Sequence, residues 1–429
     1  MKKKKLILDV DEKPTFSKGL ILSIQHVFAM FGATILVPAL VNAGVGQQVL
    51  SPAVALFTSG VGTLIYILCT KEKSPVYLGS SFAFITPMII AHSKGGVPAI
   101  MTGIMAVGLV YVIVSYIIKI AGKDWLTKLL PPIIIGPMIM IIGLGLAPAA
   151  ISQIGITSDS TLEWKGLIVA LVTFLTTAII TIKGKGFIKI IPFFIGIVSG
   201  YVAAIILGMV DFRLVAEAPF FGVPNLIIPF KDYTPVASGL LIIIPVAIVT
   251  IAEHIGDHTV LGEIIGKDLI KDPGLDRTLM GDGLATFIAG LVGGPANTTY
   301  GENTGVVGMT KVASIIVIIG AAIISIILAF FAKFTAIVST IPGQVLGGVS
   351  LLLYGFIAIN GLKVLIKNKI DFDKPKNIII ASSMLVLGLG GAALSFVSGD
   401  FSLTISGMSL ACIVGIVINL LINEDEKAK

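Results

Sequence analysis

Leu78-Gly79-Ser80-Ser81-Phe82-Ala83-Phe84-Ile85-Thr86-Pro87 and Asn297-Thr298-Thr299-Tyr300-Gly301-Glu302-Asn303 are the two stretches on which the fold turns. Both fall where the surrounding hydropathy requires a membrane crossing, yet both are interrupted by Gly, Ser, Thr, Asn or Pro. The first reads as a short extended stretch and then a helix starting near Ser81 or later. Non-helical backbone survives at membrane depth only where it is buried in protein or lines a cavity. Paired interrupted segments at corresponding places in two halves of a chain point to an inverted-repeat transporter. Two such segments can pair as short strands at the midplane. Each then presents a helix N-terminus, with free N–H groups and a positive dipole end, to one small cavity.

Outward from these stretches the chain is apolar almost throughout. Of 429 residues, 55% are hydrophobic and 13% charged, and the mean hydropathy is +1.03. A soluble domain carries about 25% charge. That contrast excludes a water-soluble enzyme, a nucleic-acid binder and a disulfide scaffold, and makes the lipid bilayer the partner. Apolar runs long enough to cross it lie at 20–41, 49–69, 97–121, 129–147, 166–182 and 188–210, then at 238–254, 279–292, 312–332, 345–359, 378–397 and 403–422. With the interrupted segments 76–91 and 294–309 they predict an all-α polytopic protein of fourteen transmembrane segments. The expected arrangement is a 7+7 inverted repeat with short extended stretches in segments three and ten. The two repeats would cover 20–210 and 238–422, joined by an extracellular connection at 211–237.

The charges orient this scheme. With fourteen crossings, only Lys94, Lys165, Arg213, Lys231 and Lys333 of the 30 Lys and Arg fall outside. The other 25 face the cytoplasm, as positively charged loops do. The tails at 1–19 and 423–429 are then both cytoplasmic, in a multi-pass protein of the cell membrane. The N-terminus is polar over too long a run for a secretory signal. Cys69 and Cys412 lie inside apolar runs and read as small buried hydrophobes.

Ionisable residues within such runs are functional hypotheses by default. Glu253 and Asp257 lie four apart and share one helix face, and His254 and His258 share the next. His26 sits in the first span beside Gln25, and Glu302 in the tenth. Asp282, near a boundary in the ninth, suits a capping or interhelical role. Carboxylates that accept from N–H groups, together with backbone donors that face carbonyls, suit a small, flat, neutral heterocycle.

The run Glu302-Asn303-x-Gly305-x-x-x-x-Thr310-Lys311 resembles the signature of the nucleobase–ascorbate transporter (nucleobase–cation symporter 2) family. Gln25-His26 and Glu253-x-x-Gly256-Asp257 resemble that family's motifs too, and the likeness extends from about Phe16 to Ile422. Glu at position 302 is similar to bacterial members that carry uracil, whereas purine carriers usually begin the signature with Gln. Asp257 departs from the uracil carriers, which have His there, and matches the purine type. The resemblance implies a core domain of spans 1–4 and 8–11, a gate domain of spans 5–7 and 12–14, and a homodimer. It implies that Glu253 and Glu302 accept from the pyrimidine N–H groups and that the backbone N–H groups of Phe82 and Gly301 donate to its carbonyls. Ala33, Tyr300 and Tyr354 would supply apolar walls.

The activity implied is uracil:H+ symport by alternating access, with no cofactor other than the proton as coupling ion and no enzymatic step. Glu302 and Asp257 are the leading coupling carboxylates, with His254 and His26 nearby. A xanthine or uric acid permease, an uncoupled facilitator, sodium coupling and a membrane-embedded enzyme are the alternatives. The last lacks a convincing nucleophile–base pair or metal cluster.

Overall fold

A computed structural model describes residues 6–158, 161, 163–398 and 401–422. Residues 1–5 of the N-terminal tail and the tail 423–429, both expected in the cytoplasm, lie outside the described residues. The chain is mostly helical. It opens with α1 (Phe16–Val45) and α2 (Pro52–Cys69), forms the strand β1 (Leu78–Ser80), and after a 3₁₀ turn at Phe82–Phe84 enters α3 (Ile85–Ala121). The helices α4 (Asp124–Leu129), α5 (Pro132–Gly145), α6 (Ala147–Ile154), α7 (Trp164–Lys183) and α8 (Pro192–Ile206) follow. A long connection holds α9 (Arg213–Glu217) and leads to α10 (Leu240–Ile243), α11 (Val246–Ile265) and α12 (Leu275–Leu291). Next come β2 (Asn297–Thr299), α13 (Gly301–Thr310), α14 (Ile315–Ala329), α15 (Ala332–Ser339) and α16 (Gly343–Lys367). The chain closes with α17 (Pro375–Leu389), the hairpin β3 (Ala393–Ser398) and β4 (Phe401–Ser406), and α18 (Gly407–Leu421). α2, α5, α8 and α17 each start on proline, which is preorganised for a first helical turn and lacks an N–H that would go unmet there.

Among the described residues, six helical runs are long and apolar enough to cross a bilayer, or eight if each of two bent pairs is one crossing. The pairs bend by 44° at Ala237–Ile243 with Val246–Ile265, and by 81° at Ile315–Ala329 with Ala332–Ser339. Length and composition alone therefore do not reach the fourteen crossings expected from hydropathy. Several apolar runs are broken or short in the structure. α8, α17 and α18 have 15 residues each, and at 1.5 Å per residue that is roughly 22 Å against ~30 Å of hydrocarbon. In the opposite sense, residues 82–121 form one 40-residue run, kinked where Gly95 (φ −168°) and Gly96 (φ +64°) leave helical geometry.

The hairpin was not expected. Hydropathy predicts helical spans at 378–397 and 403–422, but β3 pairs with β4 antiparallel, from Ala393 opposite Ser406 to Ser398 opposite Phe401. The physical reason lies in the sequence. Gly390 ends α17 and Gly391 (φ +73°) turns the chain. Phe-Ser-Leu-Thr-Ile-Ser at 401–406 then alternates apolar with polar, the period of a strand, and Ala-Leu-Ser-Phe-Val-Ser at 393–398 carries the β-formers Phe396 and Val397 opposite it.

The helices pack in two groups. In one, α3 lies on α12, α2 on α12 and α14, and α1 on α14; in the other, α16 lies on α5, α6 and α7, α7 on α8, and α17 on α5 and α18. Close helix crossings rest on small residues in both. A Cβ on Gly108 would come within 2.5 Å of the Phe287 backbone, and one on Gly361 within 2.5 Å of the Gly136 carbonyl. The groups meet where α11 contacts α5 and where α1 contacts α8 and α16.

The N-terminal segment, read above as a plain tail, is docked. Ile7 and Leu8 N–H donate to the Lys311 carbonyl, Ala313 N–H donates to Leu8, and Ile315 N–H donates to Val10. Val10 is buried, and Asp9 pairs with Lys267 at 2.8 Å.

Candidate functional site

β1 and β2 bring the two decisive stretches together. They pair antiparallel with Leu78 opposite Thr299, Gly79 opposite Thr298 and Ser80 opposite Asn297. Tyr77 accepts from the Tyr300 N–H at 3.0 Å, and Ala296 accepts from the Ser81 N–H at 2.9 Å. The pair is thus continued at both ends, so its polar backbone groups are matched by protein at membrane depth. Tyr300 locks the arrangement. Its hydroxyl donates to the Ser80 carbonyl at 3.0 Å and accepts from Thr34 Oγ1 at 3.1 Å. Its ring lies against Gly79, where an added Cβ would stand 2.4 Å from the ring carbons.

Each strand feeds a helix start: the 3₁₀ turn at Phe82 after β1, and α13 at Gly301 after β2. First-turn amides have no partner within their own helix and form the positive end of its dipole. Both starts border one cavity of about 320 Å³, with Glu253 and Asp257 of α11 and Glu302 of α13 in its wall. The opposite wall comes from the other helix group: Ile142 on α5, Phe193 on α8, and Leu353, Phe356, Ile357 and Asn360 on α16. Those four α16 positions are spaced i, i+3, i+4 and i+7, a single helix face. The cavity therefore lies between the two groups. It combines three carboxyls, two helix starts and aromatic and aliphatic walls.

The structure separates the sequence-derived residues into those on the cavity and those behind it. Glu253, Asp257, Glu302, Phe82, Tyr300 and Gly301 line it. Asp257 accepts from Thr299 Oγ1 at 2.5 Å, which ties α11 to β2. Ala33 lines a small adjoining space together with Glu302, Phe193 and Leu353. Tyr354, one residue off the lining face of α16, is buried and does not border the cavity. His254 and His26 do not border it either. His254 Nδ1 lies 2.9 Å from Asp282 Oδ2, both side chains fully buried. His258 Nδ1 is 2.7 Å from the His254 carbonyl, and its Nε2 is 2.5 Å from the Tyr66 hydroxyl. A ring nitrogen facing a carbonyl must carry hydrogen, so the other nitrogen of a neutral His258 accepts from Tyr66. His26 Nδ1 accepts from the Asn303 amide at 3.0 Å, joining α1 to α13.

Sequence reasoning missed Asn360, Phe193 and Ile142. Asn360 carried a signal, as a polar residue within an apolar helix. Phe193 and Ile142 carried none, because their chemistry is that of every neighbouring position.

The Permease family matches residues 17–397. The uracil permease of Bacillus subtilis (strain 168) is 48% identical, over 98% of this chain and 96% of its own length. The uracil permease of Escherichia coli (strain K12) is 40% identical, over 96% and 93%. Among solved structures, murine Slc26a9, an anion transporter in the inward-facing state, has a TM-score of 0.72 at 12% identity over 96% of this chain and 69% of that one. The transmembrane domain of the cyanobacterial bicarbonate transporter BicA has a TM-score of 0.60 at 15% identity over 96% and 99%. At such identities these two speak for the fold alone. Matched along nearly its whole length by transport proteins and by no enzyme among these relatives, the chain is a multi-pass membrane permease and belongs to the Permease family.

Proposed function

We propose that the protein takes up uracil together with a proton, by alternating access in the cell membrane. The observation that carries this reading is the cavity in which Glu253, Asp257 and Glu302 face the helix starts at Phe82 and Gly301. Uracil presents two N–H donors and two carbonyl acceptors on one flat ring. Glu253 and Glu302 accept from its N–H groups, and the Phe82 and Gly301 amides donate to its carbonyls. Tyr300 packs on the ring, with Ala33 and Tyr354 supporting the walls from behind. The names of the B. subtilis and E. coli relatives support the substrate.

A proton on Glu302 or Asp257 removes a buried charge and favours the state that carries substrate across. His254 and His26 brace the helices that bear these acids. The group containing α1–α3 and α10–α14 acts as core, the group containing α5–α8 and α16–α18 acts as gate, and the two rock about the cavity. The kink at Gly95–Gly96, which divides the 40-residue run, and the two strand-plus-helix segments support a fourteen-crossing count with inverted repeats and cytoplasmic termini. The functional unit is a homodimer.

The test is radiolabelled uracil uptake in cells without a permease of their own. Uptake should collapse with an uncoupler, and Glu253→Ala and Glu302→Ala should each lower it by about ten- to a hundredfold, the worth of a charged hydrogen bond. Absence of uptake by well-expressed protein overturns the substrate. Since Asp257 is of the purine type, xanthine and uric acid are the next substrates to try. Uptake indifferent to the uncoupler keeps the site and removes the proton.

A further inference from the structure

Two cavities meet at three shared residues, of which Phe82 and Ile142 bear the large side chains. The carboxylate cavity extends from Phe82, Ala83 and Ile142 towards Asn360, near the end of α16 that carries Lys363 and Lys367. A second cavity of about 280 Å³ is bordered by the same three residues and extends the opposite way, past Thr86 and Ile90 to Gly145 and Gly391. Gly145 ends α5 and Gly391 follows α17, a helix that begins beside Lys374. The second cavity thus lies towards the lysine-poor face. Lysine-rich ends mark the cytoplasmic side of a membrane protein.

We propose that these cavities are two halves of one substrate path, and that the side chains of Phe82 and Ile142 are the partition closing the far half while the carboxylate half is open. The proposal rests on the reading of the carboxylate cavity as the uracil site. Three observations support it. Phe82 belongs to one helix group and Ile142 to the other, so the partition spans the boundary that moves when the groups rock. Both side chains are apolar. Contact between apolar groups is non-directional and separates without leaving a hydrogen bond unmet, and apolar constrictions gate pores by excluding water. The far cavity also differs in chemistry from the near one: among the described residues lining it none is charged, and Thr86 supplies its one side-chain hydroxyl. It offers passage rather than tight binding.

The experiment uses the full-length protein with Cys69→Ala and Cys412→Ala, carrying a single reporter cysteine in inside-out vesicles. Thr86→Cys reports the far cavity and Asn360→Cys the near one, each read by its rate of labelling with a membrane-impermeant maleimide. Asn360→Cys should label readily and be protected by uracil. Thr86→Cys should label about tenfold more slowly, and adding Ile142→Ala or Phe82→Ala should recover most of that factor. Equal labelling of both reporters without the second substitution overturns the partition, as does failure of both alanine variants to speed Thr86→Cys.

Loss of uracil protection at Asn360→Cys overturns the site reading alone, because the comparison of the two reporters, with and without the second substitution, is made in the absence of substrate. A filling variant tests the path itself. A Cβ at Gly145 meets nothing within 4 Å, so Gly145→Trp should reduce uptake by about tenfold while uracil still protects Asn360→Cys. Undiminished uptake by Gly145→Trp overturns the assignment of the far cavity to the path.

Discussion

A division of chemistry between two adjacent faces of one helix, at single-residue resolution, makes α11 work. Glu253 and Asp257 point to the cavity, whereas His254 and His258 point into protein, where the one meets Asp282 and the other Tyr66. The four-residue spacing made the two faces legible from sequence. The identity of the partners was not, because Asp282 and Tyr66 come from helices whose rotation is set by packing. The same limit applies to Tyr354: a shift of one residue on a helix is a turn of 100°, which moves it off the face bearing Leu353 and Asn360. The buried His254–Asp282 pair gives a sharp expectation. Removing one partner of a buried pair strands the other, at a cost of about 3–5 kcal/mol, whereas replacing both with apolar residues is far milder. Asp282→Ala should therefore lower the thermal midpoint of the purified protein well below that of the His254→Leu/Asp282→Leu double variant. Equal melting of wild type and Asp282→Ala would show the pair to be inert.

Among the elements, the docked N-terminal segment stands out because it touches the C-terminal ends of both helices that supply carboxyls. It runs beside Lys311–Ile315, just beyond α13, and Asp9 reaches Lys267, just beyond α11. The hydrogen bond from Lys267 holds the Asp9 carboxyl below the ordinary carboxylate value, against partial burial that pushes the other way. A depressed folded value means that the contribution is present above the unfolded value of 3.8 and fades as pH falls through the folded one. The ion pair thus operates fully at neutral pH. Both side chains are more than a third exposed, so it is worth only about 0.5 kcal/mol. Asp9→Asn at neutral pH should speed amide exchange across residues 7–12 about twofold. Unchanged exchange would assign the docking entirely to backbone pairing and Val10. The hairpin β3–β4 shows why elements can be illegible: its residues are apolar enough to pass for a span, and hydropathy averaged over a long window erases a period of two.

At the scale of the whole molecule, class and family were plainly legible. The apolar composition fixed a multi-pass membrane protein, and the resemblance read from Glu302 to Lys311 agrees with the family match over residues 17–397. The number of crossings was less so, because hydropathy counts apolar runs and takes no account of the bends at Pro245 and Phe330–Phe331. Proton coupling carries its own expectation at this scale. A neutral pyrimidine accompanied by one proton moves one charge, and 100 mV of potential, negative inside, then adds about 2.3 kcal/mol of drive, an accumulation of roughly fiftyfold. Proteoliposomes held at a potassium diffusion potential should reach that order of uracil ratio, and indifference to the potential would exclude single-proton symport.

The pairing of β1 with β2 has a further consequence, for biosynthesis. The first half of the chain emerges with a strand whose ladder partner, residues 297–299, lies in the second half. Until residues 297–299 are made and inserted, that strand lacks its ladder partner, and α2 meets only Leu78, whose N–H donates to Thr63 Oγ1 and whose carbonyl accepts from Ser59 Oγ; exposed backbone in the bilayer is untenable. The first half must therefore wait, held open in the insertion machinery or shielded by its own helices, and the site is completed only when the two halves of the translated chain meet.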